Sequence, residues 1–361
     1  MRFSVVIPVY NVAPYLRACL DSVLAAVREV EKVGGISPDR RESRSERYAG
    51  CGQRKDNLIV EIICVDDGST DGSGEILDEY VMGKGSDPLP ITCRFRVIHQ
   101  QNAGVSAARN AALEVATGEW VMMLDGDDQW APDLLVRLFQ KIAEHPDCDA
   151  VGFGMVKVDT AGKELGLFGG ESVSAVVMGD EILGDRGPLA HFLWSSCDKI
   201  YRRALVEQMG LRYTIGMRTA EDSLFAHQFF TQATKVVLAP EIKGYRYLMH
   251  EGSAIHTLDE HLPAKPFQFY EKMYDIWLEH PAPGLTHRVR FIAASLPSLG
   301  KAENFAPQVR AEAIEFLLAS TEFKRIVHFM LFHGTWKMRL FAMAMLSSPR
   351  AVKRLILSAM R

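Results

Sequence analysis

Three carboxylates stand within four residues of the segment LDGDDQW at positions 124–130, namely Asp125, Asp127 and Asp128. They follow WVMML, an apolar run typical of a buried strand. Like charges at the end of a buried strand repel one another, and their desolvation is costly. The segment therefore indicates either a solvated turn, which Asp-Gly favours, or a site for a hard divalent cation such as Mg²⁺ or Mn²⁺, which prefers oxygen ligands.

A second acidic pair, Asp66 and Asp67 in CVDDGST, ends another apolar run. Two acidic strand ends in one sheet favour a ligand site, because ligands bind beyond the carboxyl ends of parallel strands. No G-x-G-x-x-G follows the first strand, and MGKGS at 82–86 has Asp78 where a P-loop requires its first glycine. We therefore expect a diphosphate to be held through the metal.

Two further segments carry chemistry-bearing side chains with more than one interpretation. Glu221 and Asp222 in RTAEDSLFAHQF begin a predicted helix, where acids either stabilise the helix dipole or deprotonate an acceptor hydroxyl. His250 in YLMHEGSAIHT contacts phosphate or metal in one interpretation and is a structural histidine in the other.

The elements that position these residues alternate regularly over the first 145 residues. Apolar runs predict strands at FSVVIPVY, LIVEIICVDD, FRVIHQ and EWVMMLDGDD, with amphipathic helices between them. This order predicts an α/β fold with a mostly parallel central sheet flanked by helices. Later segments predict a strand at DAVGFGMVKVD, a helix at DKIYRRALVEQMG and two strands at KVVLAP and KGYRYLMH. Residues 34–57, which are polar and glycine-containing, predict a mobile insertion.

Composition excludes some classes of partner and location. The 361 residues carry a net charge of −4, which argues against nucleic acid as a partner. Six cysteines show neither C-x-x-C nor zinc spacing, which predicts a reducing, cytoplasmic location. No signal-peptide core and no uninterrupted apolar stretch of membrane-spanning length is expected.

The last 39 residues, 323–361, contain eight Lys or Arg and no Asp or Glu. Apolar stretches such as WKMRLFAMAML lie between the basic residues. This pattern is typical of an amphipathic helix lying on an anionic membrane. A helical cap packed against the rest of the chain, or against a partner, has the same pattern.

Five motifs in this order resemble those of the family 2 glycosyltransferases of bacteria: VVIPVYN, VDDGSTDGS, NAGVSAARNAAL, LDGDD and AED. The resemblance covers roughly residues 1–255 and implies a GT-A fold over residues 1–256. Residues 1–128 would then be the nucleotide-binding half, residues 129–256 the acceptor-binding half, and residues 257–361 a C-terminal helical region with the basic amphipathic tail.

The resemblance also implies an activity. A sugar would pass with inversion from a nucleotide-diphospho-sugar, for which a UDP-sugar is expected, to a hydroxyl of a saccharide or lipid-linked acceptor. The products would belong to surface polysaccharide, lipopolysaccharide or capsule. The enzyme would be cytoplasmic, and peripheral at the inner face of the cell membrane if its tail binds lipid.

Residue roles follow from the motifs. Asp222 would be the catalytic base, and Mg²⁺ or Mn²⁺ would be held by Asp127, Asp125 and His250. The residues expected to contact the nucleotide sugar are Pro8, Tyr10, Asn11, Asp66, Asp67, Arg109, Asp125, Lys199 and Glu221. The chain departs from the family where Cys197-Asp198-Lys199-Ile200-Tyr201 replaces W-N-K-L-Y, and where Tyr247-Leu248 replaces Y-R.

Two other functions stay open on the sequence. A nucleotidyltransferase shares the sheet and the metal chemistry, but it would require a glycine-rich, arginine-containing loop where this chain has VYNVAPYL. A catalytically silent scaffold that binds a sugar nucleotide would keep the same acidic motifs without turnover.

Overall fold

The computed structural model describes residues 1–34, 59–85, 88–90, 92–168, 173–185, 187–217, 220–250, 265–280 and 283–285, and short helical pieces at 327–328, 330–332, 338–340 and 342–343. The predicted insertion at 34–57 lies outside the described residues except for Gly34, and so does most of the basic tail. Both predictions about these segments therefore stay predictions.

Ten strands, eight α-helices and one 3-10 helix make up the described part of the chain. The strands are β1 (Arg2–Val9), β2 (Ile59–Asp66), β3 (Cys93–His99), β4 (Trp120–Met123), β5 (Gln129–Trp130), β6 (Ala150–Val158), β7 (Glu164–Leu167), β8 (Ala175–Val177), β9 (Lys199–Arg202) and β10 (Val236–Leu248). The helices are α1 (Ala13–Gly34), α2 (Ser73–Val81), α3 (Val105–Val115), α4 (Leu134–Glu144), α5 (Gly179–Gly184), α6 (Arg203–Gln208), α7 (Glu221–Phe230) and α8 (Lys265–Glu279), and the 3-10 helix is Ala190–Leu193.

All the strands belong to one mixed sheet with the order β3-β2-β1-β4-β9-β6-β10-β5, with β7 paired to β6 and β8 paired to β10. Strands β1 to β4 are mutually parallel, as their alternation with helices predicts. Strand β9 runs antiparallel between β4 and β6, and β10 runs parallel to β6. The predicted α/β class is therefore confirmed, with the parallel arrangement concentrated in the first half.

The strand directions bring several chain segments to one edge of the sheet. Val9 lies opposite Asp66, and Asp66 lies opposite His99, so β1, β2 and β3 end together. Because β9 is antiparallel to β4, it begins where β4 ends. Strand β10 points the same way as β4 and also ends at this edge. Six chain segments therefore meet at this edge: those that follow β1, β2, β3, β4 and β10, and the one that precedes β9.

Two local predictions were wrong. DKIYRRALVEQMG is not one helix, because Lys199–Arg202 forms strand β9 and the helix begins only at Arg203. Ile200 and Tyr201 are fully buried between neighbouring strands, and this tertiary pairing overrides the local helical pattern. KVVLAP and KGYRYLMH are not separate strands but one strand, β10, with irregular pairing to β6 between Ala239 and Tyr245.

Helix α1 shows how the pattern of apolar residues produces the core. Its apolar face is completely buried and consists of Leu16, Leu20, Val23, Leu24 and Val27. Burying each such side chain contributes roughly 1.5–3 kcal/mol, which holds the helix against the sheet. The loop that precedes α1 is thereby fixed next to the carboxyl end of β1.

Contacts divide the chain into two compact units. The first contains Met1–Ile182, Arg186–Met217 and Glu221–Glu251, and the second contains Leu183–Asp185, Arg218–Ala220 and Gly252–Arg361. The predicted domain boundary between residues 256 and 257 lies outside the described residues and stays a prediction. In the part of the chain that the structure describes, no helix combines the length and the hydropathy needed to cross a membrane.

Candidate active site

The loop after β4 carries Asp125, Asp127 and Asp128 at the edge where the strands end. Gly126 permits this loop to pass close to β1, because a Cβ there would lie 3.1 Å from the Pro8 carbonyl oxygen and 3.2 Å from Val12 Cγ2. The backbone N–H of Asp128 donates to the Asp125 carbonyl oxygen over 3.0 Å and closes a tight turn. The turn directs the three acids to different partners.

Asp125 is joined to the first turn of α7 through one arginine. Arg109 on α3 donates from Nη2 to Asp125 Oδ1 over 2.7 Å and from Nη1 to Glu221 Oε1 over 2.9 Å. The guanidinium carbon also lies 5.0 Å from the centre of the Tyr213 ring. Arg109 therefore connects the acidic loop after β4 to the acidic start of α7.

Arg109 remains charged although its side chain is only 4% exposed. Burial lowers its pKa, but the negative charges of Asp125 and Glu221 outweigh burial and raise the pKa above its ordinary value. Among the described residues, its Nε has no hydrogen-bond partner. The predicted contacts of Arg109 and Glu221 with the nucleotide are untested, whereas their contact with each other is a feature of the fold.

Asp127 pairs with His250, which follows the end of β10. His250 Nε2 lies 3.0 Å from Asp127 Oδ2, and the imidazole packs on Tyr15 with ring centres 4.3 Å apart. The Asp127 side chain is 26% exposed, whereas that of His250 is 6% exposed. Burial and the nearby Asp125 charge raise the pKa of Asp127. In this arrangement His250 orients the carboxylate of Asp127.

Asp128 is buried and serves the structure. Its Oδ2 accepts from the Tyr245 hydroxyl over 2.6 Å, and its Oδ1 accepts from the Leu248 backbone N–H over 2.7 Å. The Tyr245 hydroxyl oxygen also accepts, over 3.3 Å, from the Asp125 backbone N–H. The Asp128 carboxylate therefore fastens the loop after β4 to strand β10.

Asp222 lies in the first turn of α7, next to Glu221. Its Oδ1 accepts from the Ser223 backbone N–H over 2.7 Å. Burial and the charge of Glu221 raise the pKa of Asp222 to about 7, while Arg109 acts in the opposite direction. A carboxylate with a pKa near neutrality can accept a proton from a substrate hydroxyl more readily than an ordinary aspartate.

Asp66 and Asp67, at the end of β2, form hydrogen bonds with different segments of the chain. Asp66 Oδ2 lies 2.9 Å from His99 Nδ1, and its Oδ1 accepts from the Ser69 backbone N–H over 2.9 Å. Burial raises the pKa of Asp66, but the hydrogen bonds from Ser69 and His99 outweigh it, and the net pKa is lowered. Asp66 is therefore an ionised carboxylate at the predicted nucleoside side of the edge.

The Asp67 carboxylate organises the loop after β3. Its Oδ1 accepts from Gln100 Nε2 over 2.7 Å and from the Ala103 backbone N–H over 2.9 Å. Its Oδ2 accepts from the Gly104 backbone N–H over 2.8 Å. These three bonds occupy most of its acceptor capacity, so Asp67 fixes the shape of the loop after β3.

Pro8, Tyr10 and Asn11 border the same edge. Tyr10 is 51% exposed, and Asn11 has a φ of 52° that turns the chain sharply after β1. Asn11 Oδ1 accepts from the Thr70 backbone N–H over 2.8 Å. This bond closes the loop after β1 onto the loop after β2, which leaves Tyr10 open to a ligand.

The structure argues against the predicted contact of Lys199 with the nucleotide sugar. Its side chain is 0% exposed and forms an ion pair with Asp198. The Nζ atom also lies 5.7 Å from the centre of the Phe192 ring. A lysine fully enclosed in this way supports the sheet and does not face a ligand.

Sequence reasoning missed three residues at this edge: His99, Cys197 and Tyr245. His99 had a signal, because it is a polar residue at the end of a predicted strand. The Cys197 thiol lies 3.8 Å from Asp125 Oδ2, and burial raises its pKa well above the ordinary range, so it is a neutral neighbour. No local pattern predicted the positions of Cys197 and Tyr245, which depend on the pairing of β9 and β10.

The donor atoms here fit a hard divalent cation that takes few protein ligands. Asp127 offers a partly exposed carboxylate held in place by His250. Within the described ranges, no group of three or more His, Cys, Asp or Glu side chains is arranged to hold a metal ion. Magnesium and manganese sites often use one or two carboxylates, with phosphate and water completing the coordination. The residues present therefore fit such a cation only together with a phosphate-bearing ligand.

Comparison with known proteins identifies relatives of this arrangement. Residues 4–210 match the model of glycosyl transferase family 2. The glycosyltransferase EpsJ of Bacillus subtilis is 30% identical over 241 residues, which are 66% of this chain and 58% of EpsJ. The poly(ribitol-phosphate) β-glucosyltransferase of Bacillus spizizenii is 25% identical over 277 residues, covering 76% of this chain and 36% of that enzyme.

A solved structure shares the fold. Residues 1–349 of TarS from Staphylococcus aureus, in complex with UDP, superpose with a TM-score of 0.61 at 19% identity, covering 99% of this chain and 91% of that one. This similarity confirms the predicted GT-A fold. The chain matches little more than half the length of EpsJ and a smaller share of the B. spizizenii enzyme. The family match spans more than half of the chain, and the chain belongs to glycosyl transferase family 2.

Proposed function

We propose that this chain is an inverting, metal-dependent glycosyltransferase that moves a sugar from a UDP-sugar to a hydroxyl of a saccharide or lipid-linked acceptor. One observation carries the proposal. Arg109 binds Asp125 and Glu221 simultaneously, which joins the loop after β4 to the first turn of α7, where Asp222 lies. The reaction would require both at one site: carboxylates that hold a cation on the donor diphosphate, and a carboxylate that takes the proton of the acceptor hydroxyl.

Asp222 is the proposed general base. Its carboxylate accepts the proton of the acceptor hydroxyl as the acceptor oxygen bonds to the anomeric carbon. The bond between that carbon and the diphosphate oxygen breaks, and its electron pair leaves with the nucleoside diphosphate. Attack opposite the leaving group inverts the anomeric configuration. The pKa of about 7 keeps Asp222 basic enough for this transfer and largely ionised above neutral pH.

Asp127 is the proposed main ligand of Mg²⁺ or Mn²⁺, and Asp125 supports the donor side. When bound, the cation neutralises charge on the leaving diphosphate. His250 keeps the Asp127 carboxylate in one orientation through the 3.0 Å contact, a supporting role that typically affects metal affinity by 10- to 100-fold. His250 is therefore proposed as an orienting residue in place of the predicted direct ligand.

The donor nucleoside is proposed to lie against Tyr10, Asn11 and Asp66. Asp66 is ionised and can accept hydrogen bonds from a base or a ribose. The UDP-bound TarS structure supports a uridine nucleotide, because it shares this fold. Two relatives named as poly(ribitol-phosphate) glycosyltransferases support an acceptor in a cell-surface polymer. We propose a cytoplasmic location, with contact to the inner face of the membrane through the basic tail.

The test combines binding with product analysis. UDP-sugars with Mn²⁺ should raise the thermal midpoint of the full chain, because a ligand that binds only the folded state stabilises it. Asp127→Asn should abolish the Mn²⁺-dependent part of this shift, and Asp133→Asn, at an exposed acid on the far end of the same loop region, should retain it. Proton NMR of the glycoside made from an α-linked donor should show the β anomer.

Each alternative predicts a different result. A silent scaffold would bind the UDP-sugar without releasing UDP to any acceptor or to water. A nucleotidyltransferase would consume a nucleoside triphosphate and release pyrophosphate. Retention of the donor's anomeric configuration would reject the inverting reaction.

A further inference from the structure

Two large exposed apolar side chains lie on segments that are hydrogen-bonded to the candidate active site. Trp194 is 57% exposed and Ile215 is 66% exposed, whereas Trp120 and Trp130 are each 2% exposed. An exposed tryptophan keeps a large apolar surface in water and does not contribute the stabilisation that its burial would give. An exposed tryptophan on a segment attached to a cluster of charged residues therefore indicates a binding surface.

Trp194 is held close to Asp222 by a buried hydrogen bond. The Ser223 hydroxyl donates to the carbonyl oxygen of Leu193 over 2.6 Å. Ser223 follows Asp222 directly in α7, and Leu193 precedes Trp194 directly at the end of the 3-10 helix. The backbone that carries Trp194 is thereby attached to the turn that carries the base.

A second bond attaches the segment of Ile215 to the same place. The Tyr213 hydroxyl donates to Ser196 Oγ over 2.8 Å in the buried interior. Trp194 stands two residues before Ser196, and Ile215 stands two residues after Tyr213. Tyr213 in turn lies beneath the guanidinium of Arg109 at 5.0 Å. Both apolar side chains are thus carried by segments fixed to the acidic network.

The occupant of this surface follows from its surroundings. The acceptor must place a hydroxyl at Asp222, so its remaining atoms occupy the neighbouring surface. A pyranose ring presents C–H groups on its faces and hydroxyls at its rim, which suits an aromatic plane beside carboxylates. An apolar protein helix would have to desolvate the same acids without satisfying them, at a large cost.

We infer that Trp194 forms an acceptor subsite, on which a pyranose ring of the acceptor stacks while its hydroxyl reaches Asp222, with Ile215 flanking the ring. The inference rests on the proposed function, because it names the substrate class at the same site. Trp194 is a specificity-determining residue in this view and takes no part in proton transfer.

The experiment uses the full chain and a defined set of saccharides. The set contains the 4-nitrophenyl pyranosides of glucose, N-acetylglucosamine, galactose, mannose and rhamnose, and their β-linked disaccharides. The indole N–H resonance of Trp194 is assigned in ¹H–¹⁵N spectra by its loss in Trp194→Phe. Saccharide binding should shift this resonance, and transfer kinetics should be measured with the saccharide that shifts it most.

Trp194→Ala should raise the acceptor KM by roughly 3- to 10-fold, the usual effect of a lost aromatic contact. The thermal shift caused by a UDP-sugar with Mn²⁺ should stay within the error of the wild type, since the proposed donor contacts, such as Asp66 and Asp127, lie on other segments. Trp194→Phe should restore most of the acceptor affinity. Leu165→Ala, at a 53% exposed position on β7, is the matched control and should leave both quantities unchanged.

The outcomes separate this inference from the proposed function. If UDP-sugars bind but no saccharide of the set shifts the Trp194 resonance, the acceptor subsite is wrong and the proposed donor chemistry stands. The same holds if Trp194→Ala and Leu165→Ala raise the acceptor KM equally. A shift caused only by vesicles of anionic phospholipid would assign Trp194 to membrane contact instead. If no UDP-sugar binds, the proposed function itself fails.

Discussion

Replacing Asp222 with asparagine should slow transfer and stabilise the fold in a single variant. The same burial that raises the pKa of Asp222, the proposed base, makes its ionised form costly in the folded state. Asparagine keeps the size and the acceptor oxygen that Ser223 uses, but it can neither take a proton nor carry the charge. Activity and stability should therefore change in opposite directions.

The magnitude follows from the pKa. A rise from 3.8 to about 7 corresponds to about 4 kcal/mol at 1.36 kcal/mol per unit. This figure is an upper limit, because Asp222 keeps partial contact with solvent. We expect Asp222→Asn to raise the free energy of unfolding by about 1–3 kcal/mol at pH 8, and transfer to fall by about 10²- to 10⁴-fold with the loss of a general base.

The sign of the pH dependence is also fixed. The folded-state pKa of Asp222 lies above its unfolded value, so the folded state retains a proton that the unfolded state has released. The wild type therefore loses stability as the pH rises from about 4 to about 7, and the loss is complete above pH 7. The stability difference between Asp222→Asn and wild type should accordingly be small at pH 4 and largest at pH 8.

Urea unfolding at pH 5 and pH 8 measures the stability, and UDP release with acceptor measures the transfer. UDP-sugar binding should persist in the variant. Asp133→Asn serves as a control, because this acid is exposed and its removal should change neither quantity. An unchanged stability difference between pH 5 and pH 8 would refute the electrostatic reasoning, and wild-type transfer in Asp222→Asn would remove this residue from the base role.

Three further predictions rest on other contacts. The wild-type kcat/KM should fall as the pH drops below about 7. Glu221→Gln should move the midpoint of this fall to lower pH, because the Glu221 charge raises the pKa of Asp222. A midpoint at higher pH in the pH–rate profile of the variant would contradict this reasoning. Lys199→Met should lower the free energy of unfolding, measured in urea, by about 3–5 kcal/mol, because it leaves the Asp198 charge buried without its partner. Adding Asp198→Leu should recover much of this loss. A Lys199→Met protein as stable as wild type would show that the ion pair is not needed for stability. Tyr245→Phe should lower the free energy of unfolding by about 1–3 kcal/mol, because Asp128 and the Asp125 backbone N–H both lose a hydrogen-bond partner. It should also weaken Mn²⁺-dependent UDP binding, measured by calorimetry. Unaltered binding would mean that the loop after β4 holds its shape without Tyr245.

Much of the first half of the fold could be predicted from sequence. Strands β1 and β2 are apolar runs rich in branched residues, and β4 is a short apolar run. The helices between them show the 3.6-residue period. The rule that ligands bind at the carboxyl ends of parallel strands then predicts a site that includes Asp66 and Asp125. Local pattern and global fold agree in this region, so a single sequence sufficed.

The second half could not be predicted in the same way, because its structure depends on distant partners. KIYR becomes β9 only because β4 and β6 leave a place between them. The bonds from Arg109 to Glu221 and from Tyr245 to Asp128 span 112 and 117 residues. Nothing in the local sequence distinguishes these residues from other buried polar groups. The complete burial of Lys199 beside Asp198, which argues against its predicted ligand role, is likewise revealed by no local pattern.

The long-range contacts also explain how one short loop carries three acids at the end of a buried strand. Each acid has a different partner, so their repulsion is distributed over separate parts of the fold. Arg109 compensates Asp125, and Tyr245 and the Leu248 N–H satisfy Asp128. Asp127 pairs with His250, and the carboxylates of both Asp127 and Asp125 stay partly exposed. Because Arg109 also holds Glu221, it helps to fix the first turn of α7, and its charge opposes the rise in the pKa of Asp222 that burial and Glu221 cause. The donor side and the base of the proposed reaction are therefore coupled through a single buried arginine, and a change at that residue should affect both.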